Sequence, residues 1–284
     1  MTIKDVYNEF KNELKFLHSE GEAAAIANIV FEHFTKLTSS SIGINGKMEM
    51  ENTCLIQLRE ALIKLKENIP VQYITGQAWF YNLNFEVNNA VLIPRSETEE
   101  LVLEAINFLK NSNGKKVLDI GTGSGCIPIS IKKNIPEATI TAIDVSNEAL
   151  WVARKNAFAN DVKIDFEEID FLNEKNYNKL SSYDLIISNP PYIPEAEKNI
   201  LDKNVVDYEP HHALFVPDND HLIFYKKIAA FAENHLTTDG KLLLEVHEDF
   251  AGETAAIFLA EKFIVAIKKD MQRKDRMLLI YRSL

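Results

Sequence analysis

The chain has 284 residues, 46% of them apolar, and a formal net charge of −11. That length accommodates one large domain and a small one, and so acidic a surface disfavours non-specific binding to a phosphate backbone, whose affinity comes largely from Lys and Arg. Cys54 and Cys126 are the only cysteines and make neither a disulfide framework nor a zinc site, the histidines show no metal-ligand spacing, and no apolar run approaches the roughly 20 residues that span a bilayer, so a reduced, cytoplasmic compartment is expected, with no metal and no membrane.

The N-terminal MTIKDVYNEF lacks the long apolar stretch of a signal peptide. Ile3, Val6, Tyr7, Phe10, Leu14 and Leu17 recur at helical spacing. Ser19 and Glu22 have the spacing of a capping box that opens a second helix through Ile26, Ile29, Val30 and Phe34. SSSIGING reads as a loop, and Leu55, Leu58, Leu62 and Leu65 place a third strong helix before Pro70. Residues 1–70 are therefore expected to form a small helical bundle. In 71–93 the stretch FYNLNFEVNN alternates apolar with polar residues, and its Asn-Asn pair suggests a turn, so a linking β-hairpin is expected. Ser96 and Glu99 again have capping-box spacing, ahead of a helix through Leu101, Val102, Ile106 and Leu109.

From residue 115 the pattern alternates. KKVLDI, ATITAID, VKIDFEEID, YDLIIS and KLLLEVH read as strands, and CIPISIKKN, NEALWVARKNAFA, HLIFYKKIAAFAENH and AGETAAIFLAEK as helices. FIVAIKKD and RMLLIYR close the chain as an antiparallel pair. Such alternation predicts an α/β domain over 94–284, a doubly wound, mostly parallel seven-stranded sheet with helices on both faces.

Leu118 to Gly125 joins the first strand of that sheet to its first helix. Gly121, Gly123 and Gly125 permit positive φ and close approach of a ligand to the backbone, and ligands in open α/β sheets bind beyond the carboxyl ends of strands. The next strand ends in Asp144, which is placed either to accept hydrogen bonds from ribose hydroxyls or to cap the following helix together with Ser146. A dinucleotide fingerprint would put a third glycine where Cys126 stands. With Asp119 ahead of them, the alternating glycines of Asp119 to Gly125, including Thr122 and Ser124, instead resemble the loop of class I S-adenosyl-L-methionine-dependent methyltransferases. That likeness implies a cofactor site, with Asp170 and Phe171 bordering the adenine; Phe171 reads equally well as core.

Asn189-Pro190-Pro191-Tyr192 follows the buried strand Asp184 to Ser188. The prolines fix φ and remove two backbone donors, which leaves the turn rich in acceptors. The Asn189 side-chain oxygen and the Pro190 carbonyl can each take one hydrogen of a planar NH2 group, with Tyr192 as a platform. Methyl transfer to an amide or amine nitrogen follows as the chemistry.

Taken together, these motifs resemble the release factor glutamine methyltransferase family over nearly the whole chain. Pro70 to Gly76, Leu92 to Glu99, Asp119 to Gly125, Asp144, Asn189 to Tyr192, and Glu209-Pro210 with Ala213-Leu214 carry the likeness. It implies a helical substrate-binding domain, a hairpin and a methyltransferase domain, S-adenosyl-L-methionine as cofactor, and N5-methylation of the Gly-Gly-Gln glutamine of class 1 peptide chain release factors. Ser96, His247-Glu248 and Asp270 to Arg276 depart from the family pattern at the rim and last hairpin. An adenine-amine methyltransferase acting on DNA or RNA would use the same Asn-Pro-Pro-Tyr turn. The acidic balance and the lack of a target-recognition domain oppose it, and a solvated edge hairpin accounts for Lys268, Lys269, Arg273, Lys274 and Arg276. A non-catalytic adaptor is opposed by the intact Asp144 and catalytic turn.

Overall fold

The computed structural model describes residues 1–282. In chain order its elements are helices α1 (Ile3–Leu14), α2 (Glu20–Thr35), α3 (Ser39–Asn45), α4 (Asn52–Lys66) and α5 (Val71–Thr75), then strands β1 (Gln77–Phe80) and β2 (Leu83–Glu86). There follow α6 (Ser96–Asn111), β3 (Lys116–Ile120), α7 (Cys126–Asn134), β4 (Thr139–Asp144), α8 (Asn147–Ala159), β5 (Asp165–Glu168) and β6 (Tyr183–Ser188). The chain ends with β7 (Ile193–Pro194), α9 (Lys203–Tyr208), β8 (Phe215–Val216), α10 (Ile223–His235), β9 (Leu236–Glu245), α11 (Ala251–Ala260), β10 (Phe263–Lys269) and β11 (Asp275–Arg282). None of its described helices is long and apolar enough to cross a membrane. The chain divides into two compact units, Met1–Gln77 with Asp202–Tyr208, and Ala78–Leu201 with Glu209–Leu284.

The smaller unit is helical. Val6, Phe10 and Leu14 of α1 pack with Ala27, Val30 and Phe31 of α2 and with Leu58, Ala61 and Leu65 of α4. Phe31 meets Tyr7 and Phe10 edge-on, with centroids 5.1 and 5.6 Å away. Leu17 and Ile29, counted by spacing on these faces, are exposed. Two local readings change. SSSIGING is mostly helical, because Thr38 caps it through Ser41 N at 3.3 Å and Ile42 is buried. Only one half of the Ser19–Glu22 box forms, Ser19 Oγ accepting from Glu22 N, whereas Thr2 and Asp5 complete a reciprocal box at α1. α9 joins this unit, the Tyr208 hydroxyl donating to the Glu67 carbonyl at 2.7 Å.

Before the hairpin, Val71–Thr75 is a short helix. β1 and β2 form a two-stranded sheet, and the residues that join them, Tyr81 and Asn82, have φ of +48° and +60°. Positive φ at both central positions is the turn whose twist matches paired strands, so the reversal lies there and not at Asn88-Asn89, which follows β2. The Ser96–Glu99 box does not form: α6 has no side-chain cap, and Glu99 instead accepts from Tyr81 N at 2.8 Å.

The larger unit is built on a seven-stranded sheet of order β5-β4-β3-β6-β9-β11-β10, parallel except for β11, which is antiparallel to both neighbours. Its central strands β3, β6 and β9 are largely apolar and buried because helices cover both faces, whereas the edge strand β5 is polar and exposed. Alternation within them assigns each side chain to a face. Leu118 and Ile186 pack with Tyr225, Phe231 and Phe258 from α10 and α11; Val117, Leu185 and Ile187 pack with Leu101, Leu109 and Ile129 from α6 and α7. The chain runs outward from β3 through β4 to β5, then returns to β6 on the other flank of β3. That reversal opens a crevice at the carboxyl ends of β3 and β6.

Candidate active site

At its carboxyl end β3 turns into the glycine loop, where Gly121, Gly123 and Gly125 have φ of +74°, +53° and +79°. Gly121 N and Thr122 N donate to the Ile143 carbonyl at 2.9 and 3.0 Å, which ties the loop to β4. Gly123 N donates to Asp144 Oδ2 at 2.8 Å, while Asp144 Oδ1 accepts from Ser146 N. Ser146, not Asp144, caps α8, its Oγ accepting from Ala149 N. The three glycines do different work. A Cβ at Gly121 or Gly123 would meet nothing within 4 Å, whereas one at Gly125 would lie 3.0 Å from Ile129 Cδ1 and 3.2 Å from Ala153 Cβ. The first two border open space; the third is required by packing. Thr122 and Ser124 are buried, and the Ser124 carbonyl accepts from Asn156 Nδ2. Asp119 behind them is fully buried, and neither carboxylate oxygen makes a well-formed hydrogen bond. Burial pushes its carboxyl up to about 7, opposed by the nearby Thr122 hydroxyl and reinforced by the charge of Asp144.

A cavity of about 400 Å³ opens above this loop. Gly121, Gly123, Asp144, Asp170, Phe171, Asn189, Pro190 and Pro191 line it; Thr122, Ser124, Gly125 and Tyr192 do not. Phe171 is both a core residue and part of the cavity wall. Its ring packs with Tyr177 and Phe231 at 5.0 and 5.3 Å, and the residue also borders the cavity. Asp170 Oδ1 accepts from Leu172 N at 3.0 Å, closing the turn after β5. Sequence reasoning missed much of the apolar wall, including Val91, Leu92, Phe215 and Phe224. Two of its segments carried a signal: Leu92 begins one quoted motif, and Ala213 belongs to another.

Asn189 arrives here because β6 pairs in parallel with β3, Ser188 opposite Ile120. Its Nδ2 lies 3.2 Å from Thr98 Oγ1, and Thr98 Oγ1 in turn donates to Glu245 Oε2 at 2.6 Å. The Tyr192 hydroxyl donates to the other oxygen, Glu245 Oε1, at 3.1 Å. The Tyr192 ring stands edge-on to His247 at 6.0 Å. Burial raises the Glu245 carboxyl above the ordinary range, against the hydrogen bonds from Thr98 and Tyr192 and the positive charge of Arg276. A second buried acid, Glu209, accepts from Ile93 N at 3.1 Å and pairs with Arg95 at 2.5 Å, fastening the segment ahead of α6. Neither Thr98 nor Glu245 had been singled out individually; an acid ending an apolar strand was the available signal.

The departures at the last hairpin form ion pairs. Glu248 pairs with Lys274 and Arg276, and Asp270 with Arg276. Lys268 pairs with Glu104, and Lys269 with Asp275. Four of the five basic residues of that cluster thus pair with carboxylates; Lys268, Lys269 and Lys274 are solvated, whereas Arg276, on the interior strand β11, is largely buried against Asp270 and departs from the edge-hairpin reading.

The family described as Methyltransferase small domain matches residues 99–208, and PrmC N-terminal domain matches residues 5–76. A release factor glutamine methyltransferase from Flavobacterium psychrophilum is 43% identical over 282 residues, covering 98% of each chain. The chain belongs to the release factor glutamine methyltransferase family. Another member, from Clostridium acetobutylicum, is 33% identical over all of this chain and 99% of its own length. Among solved structures, the hMettl16 catalytic domain in complex with the MAT2A 3'UTR hairpin 6 shares the fold, with a TM-score of 0.54 and 14% identity over 82% of each chain. As a release factor glutamine methyltransferase family member, the chain is an S-adenosyl-L-methionine-dependent enzyme. The cavity suits that cofactor: its volume falls in the range of small-molecule sites, two glycines border it without side chains, and an acid stands at the end of β4.

Proposed function

We propose that this chain transfers the methyl group of S-adenosyl-L-methionine to the N5 amide nitrogen of the glutamine in the Gly-Gly-Gln motif of class 1 peptide chain release factors. The observation that carries this reading is the 43% identity to a release factor glutamine methyltransferase across 98% of both chains, joined to an Asn-Pro-Pro turn on the cavity wall. When bound, the cofactor supplies an electrophilic methyl carbon on a sulfonium that becomes a neutral thioether. In this reading Gly121, Gly123, Asp144, Asp170 and Phe171 hold it, while Thr122, Ser124 and Gly125 keep the loop in shape.

An amide nitrogen is a poor nucleophile because its lone pair is delocalised into the carbonyl. Asn189 Oδ1 and the Pro190 carbonyl each accept one hydrogen of the glutamine NH2, which keeps electron density on nitrogen and aims it at the methyl. Alignment of this kind is worth up to about 7–11 kcal/mol of barrier. The methylated nitrogen gives up one proton to solvent as the neutral amide is restored. Pro191 stiffens the turn, and Tyr192 is the platform for the planar group. The helical unit grips the protein substrate, and the reaction takes place in the cytoplasm without direct nucleic-acid binding.

The test is incubation with labelled cofactor and two acceptors, a class 1 release factor and an adenine-containing nucleic acid. Label is expected on the release factor glutamine. Label on the nucleic acid alone would overturn the reading.

A further inference from the structure

A carboxamide looks the same from either end to a neighbour that can both donate and accept. Only its oxygen is useful for gripping an NH2 group. Asn189 reaches Thr98 Oγ1 at 3.2 Å, and Thr98 Oγ1 reaches Glu245 Oε2 at 2.6 Å. A hydroxyl has one proton to give, and an ionised carboxylate can only accept. Thr98 donates to Glu245 Oε2, so its oxygen is left to accept. Whatever end of Asn189 faces Thr98 must then be the donor, the NH2. The reversed amide would set acceptor against acceptor. Glu245 is in turn held by a second donor, the Tyr192 hydroxyl on Oε1.

We propose that Thr98 and Glu245 are positioning residues that fix the orientation of the Asn189 carboxamide, so that its oxygen and not its NH2 is presented to the acceptor nitrogen. The proposal deepens the methyl-transfer reading and rests on it for its kinetic consequence. It does not rest on it for the hydrogen bond itself. Thr98 and Glu245 are each about 2% exposed, so water does not scramble the relay. Both are absent from the cavity lining, so they act on Asn189 from behind the wall it forms. Groups that bear on the Glu245 charge are the Thr98 and Tyr192 hydroxyls and Arg276, which oppose the effect of burial, and Glu97 beside Thr98, which reinforces it.

The test uses the full chain with labelled cofactor and a release factor carrying Gly-Gly-Gln. Thr98→Val keeps the shape and removes the hydroxyl. It should lower kcat by roughly 10- to 100-fold, as a misaligned reacting group does, while the cofactor Kd stays unchanged. Thr98→Ser, which restores a hydroxyl, should recover most of the rate. In an Asn189→Ala background Thr98→Val should cost nothing further, because the group it orients is gone. If Thr98→Val does not fold, Thr98→Ala removes the same hydroxyl and carries the same expectation. Independently of any acceptor, NMR should find one Asn189 side-chain amide proton protected from exchange, with that protection lost in the hydroxyl-less variant. A wild-type protein that leaves release factor unlabelled would sink the functional reading, and the NMR result would still decide the relay. Wild-type kcat in Thr98→Val, multiplicative losses with Asn189→Ala, or unaltered amide protection would each overturn the relay.

Discussion

At the residue scale the site separates into groups that hold and groups that align. Asn189 and Pro190 border the cavity and bring acceptors to it. Asn189→Ala removes an acceptor that matters most when the nitrogen is under attack, so kcat should fall by about 100-fold or more with cofactor affinity retained; single-turnover rates beside calorimetric titration measure both, and near-normal turnover would contradict the assignment. Asp144 offers the opposite separation. Its carboxylate takes Gly123 N on one oxygen and Ser146 N on the other, and Ser146 does the capping. Asp144→Ala should weaken cofactor binding by roughly 10- to 100-fold, the worth of a hydrogen bond to a charged group, with the fold kept. An unchanged dissociation constant would relegate Asp144 to bracing the loop. The places of these two residues on the cavity wall were legible because Asp144 ends, and Asn189 directly follows, an apolar strand in a motif of unusual composition. Thr98 and Glu245 were not, because their meaning lies in a contact 147 positions apart, and a Thr inside a helix carries no signal of its own.

At the element scale the glycine loop divides its labour. Gly125 has φ +79° and would set a Cβ 3.0 Å from Ile129 Cδ1, so Gly125→Ala adds left-handed strain of about 1–2 kcal/mol to a clash between the loop, α7 and α8. Its thermal midpoint should drop by several degrees. Gly123→Ala has φ +53° but open space around the new methyl. It should lose cofactor affinity by more than its midpoint suggests, because the methyl occupies the cavity. Melting curves and titrations on the pair check this, and equal effects on both quantities in both variants would refute the division. The elements themselves were legible where period and length agreed: Asn147–Ala159 and Tyr183–Ser188 have the bounds their patterns imply. Misreadings occurred where short polar side chains decide. Thr38 makes a helix of a Gly-containing loop, and Glu99 leaves its expected cap to hold the hairpin turn at Tyr81.

At the scale of the whole molecule, alternating strands and helices revealed the class of fold, but not which strands are neighbours. That order follows from long-range pairing, and it is what brings Gly121 and Asn189 to one crevice although 68 residues separate Ile120 from its partner Ser188. The same centrality exposes the fold to a cost. Asp119 sits in β3, flanked by β4 and β6, and is fully buried. Burial raises its carboxyl from the ordinary 3.8 to about 7. A group whose folded pKa lies above its unfolded one binds an extra proton in the folded state, so its contribution to stability declines as pH rises from about 4 to about 7 and is level above that. A shift of this size corresponds to about 4 kcal/mol. Asp119→Asn keeps the shape and abolishes the titration. Its melting temperature should nearly match the wild type at pH 4 and exceed it by several degrees at pH 8, since each kcal/mol moves the midpoint of a domain this large by roughly 2–4 °C. A difference that stays constant with pH, or a variant less stable than wild type at pH 8, would show that the Asp119 charge is matched by a partner and that the core tolerates it without penalty.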